Sequence, residues 1–277
     1  MKEETRKSKW YIFYYLFENG LISAMVAGGS EFGIAYAMYY DHKSPLTLWA
    51  FPHTLSGDCA LSHFIQVGLT WYAEELTIGW DALNGKTPIL PFSKEYLPKN
   101  RIIRWYFEVE NGIVADEDEP ENNTFKKYMT RQLIRYPQKS WFFNLCEWLI
   151  RKAIRALIVG AIIWAVEWPI TMGIMAGTGT RIGSHDYKFH GYYPEVMKLI
   201  YGFVLGLIST PTAILVVVLR DQWYRLYVQS EASSGGLLSP GGLEDKSSKL
   251  QLHENSSSSK QDSTVSKNAN TEDSSVS

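Results

Sequence analysis

Residues 20–40, GLISAMVAGGSEFGIAYAMYY, form an almost unbroken apolar run with one acid, Glu31, in its interior. A helix needs about 20 mostly apolar residues to cross a ~30 Å hydrocarbon layer, and this run is long enough. Trp10, Tyr11, Tyr14 and Tyr15 precede it and Tyr39 and Tyr40 close it, the aromatic belt expected at headgroup depth. At 100° per residue, Gly29, Gly33 and Ala37 fall in one row, a small-xxx-small series that lets another helix backbone come close. A second row holds Ala24, Gly28, Glu31 and Ala35. A carboxyl at mid-membrane costs roughly 2.5–3.5 kcal/mol on insertion scales, so it calls for a partner.

The mean hydropathy of −0.16 looks soluble only because it averages two unlike parts. Residues 10–228 carry the aromatic and aliphatic content. From 229 to 277 the chain is Ser, Glu, Asp, Lys and Asn with little to bury, which predicts a disordered tail. A formal charge of −2 gives no electrostatic footprint for nucleic acid.

Further spans are predicted at about 57–78, 153–175 and 199–219, each a mainly apolar run of spanning length. The second is poor for a span, because Asp58, His63, Gln66, Glu74 and Glu75 fall in it. Such a helix is tolerable only with its polar groups turned to protein or water; the alternative is a surface amphipathic helix. Residues 46–55 are apolar, short and broken by Pro52, as an interfacial or re-entrant segment would be. The connection 81–140 is hydrophilic. Within it Ile103, Trp105, Phe107 and Val109 alternate ahead of Asn111-Gly112, a hairpin pattern, and 116–121 is an acidic run. Ser140 is placed to cap a helix. Residues 141–152 read as an amphipathic helix lying at the interface, before a third span carrying Glu167 and Pro169.

Basic Lys2, Arg6, Lys7 and Lys9 flank the first span, whereas the outer loops hold only Lys43, Arg181, Lys188 and Lys198. Both termini are therefore expected in the cytoplasm, with an endomembrane such as the endoplasmic reticulum as the location. The fold class expected is an all-α membrane protein: a four-transmembrane-helix bundle in residues 1–228, an interfacial amphipathic helix and a disordered C-terminal tail.

By helical rise, Glu31 lies roughly 16 Å and Glu167 roughly 21 Å from the inner edge, and His63 about 9 Å below the outer edge. Asp58 stands above them. Two carboxyls and an imidazole at similar depth suit a proton or cation path, or simply hydrogen-bonded helix pairing. His185, Asp186 and His190 are the candidates for an outer metal site, together with Asp41, His42 and His53. Asp186 and His190 are spaced i, i+4, but the stretch that holds them reads as a loop and not as a helix. Residues 79–87, GWDALNGKT, are one residue too long for a phosphate loop and follow a helix instead of a strand. No hydrolase or zinc-protease motif occurs, and no cofactor is implied.

Asn19-Gly20, Gly28-Gly29, Phe32, Ile34-Ala35-Tyr36 and Met38-Tyr39 resemble the first span of a family of small fungal multi-pass membrane proteins without an assigned function. The resemblance implies a helical membrane protein and carries over no catalytic residue. The readings that remain are three. The first is a non-catalytic scaffold or accessory subunit, partnered by the bilayer and by other membrane proteins or copies of itself. The second is proton, ion or small-solute passage through Glu31, His63 and Glu167. The third is a membrane enzyme with an outer metal site.

Overall fold

The structure, a computed structural model, describes residues 3–40, 46–50, 54–91, 97–110 and 124–233. It is mostly helical. After the short α1 (Glu3–Lys7) come the long helices α2 (Lys9–Tyr39) and α3 (Leu55–Leu83), then the short α4 (Arg101–Tyr106) and α5 (Phe125–Leu133), and finally the long α6 (Trp141–Thr178) and α7 (Tyr193–Ser233). Three of the long helices, Lys9–Tyr39, Trp141–Thr178 and Tyr193–Ser230 within α7, are apolar enough to cross a membrane; α3 is not among them. Its acids and amides dilute its apolar content.

Small residues set the approach of α2 to α7. A Cβ added at Gly28 would lie 2.9 Å from the Leu199 carbonyl oxygen, and one at Gly206 would lie 2.8 Å from Ala24 Cα. Gly20 faces Pro211 in the same antiparallel register. The row that packs is thus the one containing Ala24, Gly28, Glu31 and Ala35, all buried. The other row, Gly29, Gly33 and Ala37, is exposed, and a Cβ added at Gly29 or Gly33 meets nothing within 4 Å. In α3, Tyr72 donates to the Leu149 carbonyl at 2.6 Å, and Gln66 donates to the Gly202 carbonyl at 2.9 Å. These bonds tie α3 to α6 and α7.

A small sheet closes one end. β1 (Leu46–Thr47), β2 (Thr180–Ile182) and β3 (Asp186–Phe189) are ordered β1-β3-β2, all antiparallel, with Leu46 opposite Phe189 and Arg181 opposite Tyr187. Leu46, Leu48 and Phe189 join Leu55, Met172, Met175 and Tyr201 in a core under this sheet.

Four sequence expectations change. Residues 101–106 are helical, not a strand: Asn100 accepts from the Ile102 amide at 2.8 Å and caps α4. The turn Asn111-Gly112 lies outside the described residues, as do the acidic run, Asp41, His42, His53 and the tail beyond 233. Residues 141–152 are the first turns of α6 and not a separate interfacial helix. Ser140 accepts from the Phe143 amide, and the polar face turns inward with Asn144, Lys152 and Arg155 buried. The outer loop is shorter than read, because α7 begins at Tyr193 and places Lys198 in a helix. Residues 46–50 contribute a strand to the sheet instead of an independent interfacial segment.

The two glycine rows make a clean comparison. Gly206→Val forces a branched side chain against the α2 backbone and is expected to destabilise by about 1–3 kcal/mol. Gly29→Val, whose added Cβ meets no described atom within 4 Å, should stay within ~0.5 kcal/mol. Unfolding of the purified variants in one detergent checks both; equal effects would refute this assignment of the packing row.

Candidate functional site

Two clusters of charge lie between the long helices, and each is centred on a lysine shared by two carboxylates. In the first, Lys198 of α7 is 1% exposed. Its Nζ lies 2.7 Å from Glu31 of α2 and 3.1 Å from Asp58 of α3, and it also bonds the Ser62 hydroxyl. Tyr39 donates to the second carboxylate, at 2.6 Å from Asp58 Oδ2. A chain segment read as an outer loop therefore supplies the cation that joins two of the candidate acids.

His63 and Glu167 form a separate pair, with Nδ1 3.4 Å from Glu167 Oε2. The imidazole is fully buried. Its Nε2 lies 3.0 Å from the Gly160 carbonyl oxygen and its Nδ1 lies 3.2 Å from the Tyr201 hydroxyl. A carbonyl only accepts, so Nε2 carries a hydrogen. Nδ1 then either accepts from Tyr201 or, with a second hydrogen, donates to Glu167. The structure thus joins Glu31 to Asp58 through Lys198, and His63 to Glu167. Tyr201 and Lys198 stand one turn apart on α7, so the two groups are adjacent.

The second cluster was not visible as a site in the sequence. Lys152 of α6 reaches Glu75 of α3 at 2.8 Å and Glu108, in the segment after α4, at 2.5 Å. Arg220 of α7 pairs with Glu75 and lies 3.8 Å from Glu108. Arg151 pairs with Glu108, and Arg155 lies 3.5 Å from it. Arg155 also fixes α4 from below: it donates to the Tyr106 carbonyl at 2.7 Å and the Trp105 carbonyl at 2.9 Å, and its guanidinium sits 5.2 Å from the Trp105 ring centre. Tyr128 of α5 donates to the Glu75 carbonyl at 2.9 Å. The loop carboxylate is held in an unusual backbone, since Glu108 has φ 48°. For a non-glycine residue this costs on the order of 1–3 kcal/mol. Burial acts to raise the Glu108 pKa, but Lys152, Arg220, Arg155 and Arg151 outweigh it and hold the carboxyl well below the usual carboxylate range.

The outer metal candidates among the described residues do not converge. Asp186 accepts from the amides of Trp49 at 2.9 Å and Ala50 at 3.1 Å, and so serves the sheet end. Among the described residues no group of three or more His, Cys, Asp or Glu side chains is placed to hold a metal ion; His185 and His190 join no such group.

Fold and clusters together define a mainly helical protein with three helices apolar enough to cross a membrane and buried ion pairs between its helices. The chain belongs to the family described as Protein of unknown function (DUF2456), whose model matches residues 124–218. It is 42% identical to Uncharacterized protein YHL026C of Saccharomyces cerevisiae, over 82% of this chain and 84% of that one. It is 32% identical to Uncharacterized protein C594.02c of Schizosaccharomyces pombe, over 68% of this chain and 34% of that longer protein. No solved structure matches. These matches support the expectation of a fungal family of unknown function; the multi-pass membrane part of that expectation belongs to the proposal below.

Glu108 gives the second cluster a defined response to acid. Its lowered value means that its contribution to stability is complete above the ordinary glutamate pKa of about 4.3. That contribution is lost as pH falls below this value toward the lowered one. Glu108→Gln should flatten the decline in unfolding midpoint between pH 6 and about 3. An unchanged slope would show that the pairing does not stabilise the fold.

Proposed function

We propose that the chain is an integral, multi-pass membrane protein acting as a non-catalytic scaffold or accessory subunit. In this reading α2, α3, α6 and α7 all span the bilayer and both termini are cytoplasmic. The observation that carries it is an inversion of ordinary burial. Val26, Leu69 and Ile162 are each 65% exposed, whereas Lys152, Lys198 and Glu75 are each 1% exposed. Water would penalise that distribution at both ends. In a hydrocarbon layer the apolar side chains are solvated by acyl chains and the charges must pair inside. The alternating direction of the four helices places the Lys198 cluster beside the sheet and the Lys152 cluster near the opposite ends.

The scaffold reading rests on the internal partners of the acids. Glu31 and Asp58 share Lys198, so each acid has a cationic partner within the chain, and the three together specify how α2, α3 and α7 meet. The exposed row Gly29, Gly33 and Ala37 is where a partner helix would approach, from a second copy or another membrane protein. Proton passage is the second reading, favoured by the His63, Glu167 and Tyr201 group, in which one hydrogen can sit on either side of Nδ1.

Removing one member of a buried pair strands its partner, which typically costs about 3–5 kcal/mol. Lys198→Met should therefore reduce protein levels, and Glu31→Gln combined with it should recover part of the loss. The wild-type chain should stay in the membrane pellet after alkaline carbonate. Release into the supernatant would end the membrane reading. Proton uptake into proteoliposomes that Glu167→Gln abolishes would replace the scaffold with the passage reading.

A further inference from the structure

Among the described residues, the Lys152 cluster holds more positive than negative charge. Arg151 has Glu147 at 3.0 Å as a second carboxylate. Among the described residues, that leaves Lys152, Arg155 and Arg220 within ion-pair distance of Glu75 and Glu108 alone, one positive charge in excess among five buried side chains. The Nε of Arg220 is buried and has no hydrogen-bond partner. The two carboxylates are held differently. Glu75 is part of a helix, whereas Glu108 is brought in by a short segment with a strained backbone. Lys152, Arg151, Arg155 and Arg220 all converge on it. Such a set of guanidinium forks and one ammonium is the donor chemistry that recognises phosphate oxygens.

We propose that this cluster is a phosphate-binding site, for inorganic phosphate or a lipid phosphomonoester headgroup, and that the Glu108 carboxylate is its built-in competitor. A phosphate dianion exchanged for Glu108 would bring the charge of Lys152, Arg155, Arg220 and Glu75 to zero. Leaving the site would also release the strained backbone at Glu108. The place suits either source. Lys152 and Arg220 border the apolar runs of α6 and α7, at the level of headgroups in the membrane reading, and if that reading fails a soluble anion would reach the same donors once Glu108 has left them.

The test uses the purified full-length chain with two probes: inorganic phosphate in detergent, and nanodiscs of phosphatidylcholine with or without phosphatidate. Removing an internal competitor raises apparent affinity by the inverse of the fraction of sites that the competitor left free, tenfold where it occupied about nine in ten. Glu108→Gln should therefore bind phosphate at least about tenfold more tightly than wild type, and Glu108→Gln with Arg151→Gln should lose the gain. Gains with both probes assign a site open to free phosphate. A gain with phosphatidate alone assigns a lipid headgroup site. A folded Glu108→Gln variant that binds neither probe better than wild type overturns the proposal and leaves the cluster purely structural. Should that variant not fold, wild type decides: a rise in its unfolding midpoint with either probe supports the site, and no rise overturns it.

Discussion

Two lysines, each shared by two carboxylates in the dry interior, hold this molecule together. Lys198 binds Glu31 and Asp58, and Lys152 binds Glu75 and Glu108. An unpaired charge in such surroundings is costly enough that the helices bearing these groups cannot shift independently. Apolar packing in this protein is directionless by comparison, because much of it lies on the outer surface. The charges therefore do the specifying: they fix which helix faces which, and at what height. Helix α3 contributes an acid near each end, so it is braced at both.

That role explains why α3 was the hardest element to read. Asp58, His63, Gln66 and Glu75 weaken its apolar signal, yet His63, Gln66 and Glu75 are buried and bonded and Asp58 is paired. Hydropathy averages around a helix and cannot tell an inward acid from an outward one. The three apolar helices were legible because their composition alone is sufficient. The pairing of Glu31, Asp58, His63 and Glu167 was legible only as a coincidence of depth. Lys198 was missed because it stands one residue before an apolar run and read as a loop base. A search for a cation to match two submerged acids would have found it.

Glu108 was further out of reach. It sits between an alternating apolar stretch and an acidic run, where a carboxylate looks like part of a solvated loop. Its burial depends on α4 being helical and on Arg155 gripping the Trp105 and Tyr106 carbonyls, contacts made across 50 and 49 residues. Local pattern favoured a strand there, and tertiary hydrogen bonding decided otherwise. The two small-residue rows of α2 carry the same lesson. Sequence identified both, but only the α7 backbone chooses between them.

The order of the braces along the chain has a consequence for biosynthesis. Helix α3 emerges from the ribosome before either of its lysines, and Lys152 follows Glu75 by 77 residues. Until α6 and α7 have been made, Asp58 and Glu75 lack the lysines that pair with them. In the membrane reading, such a segment enters lipid either with those carboxyls protonated or together with the later helices that pair with them.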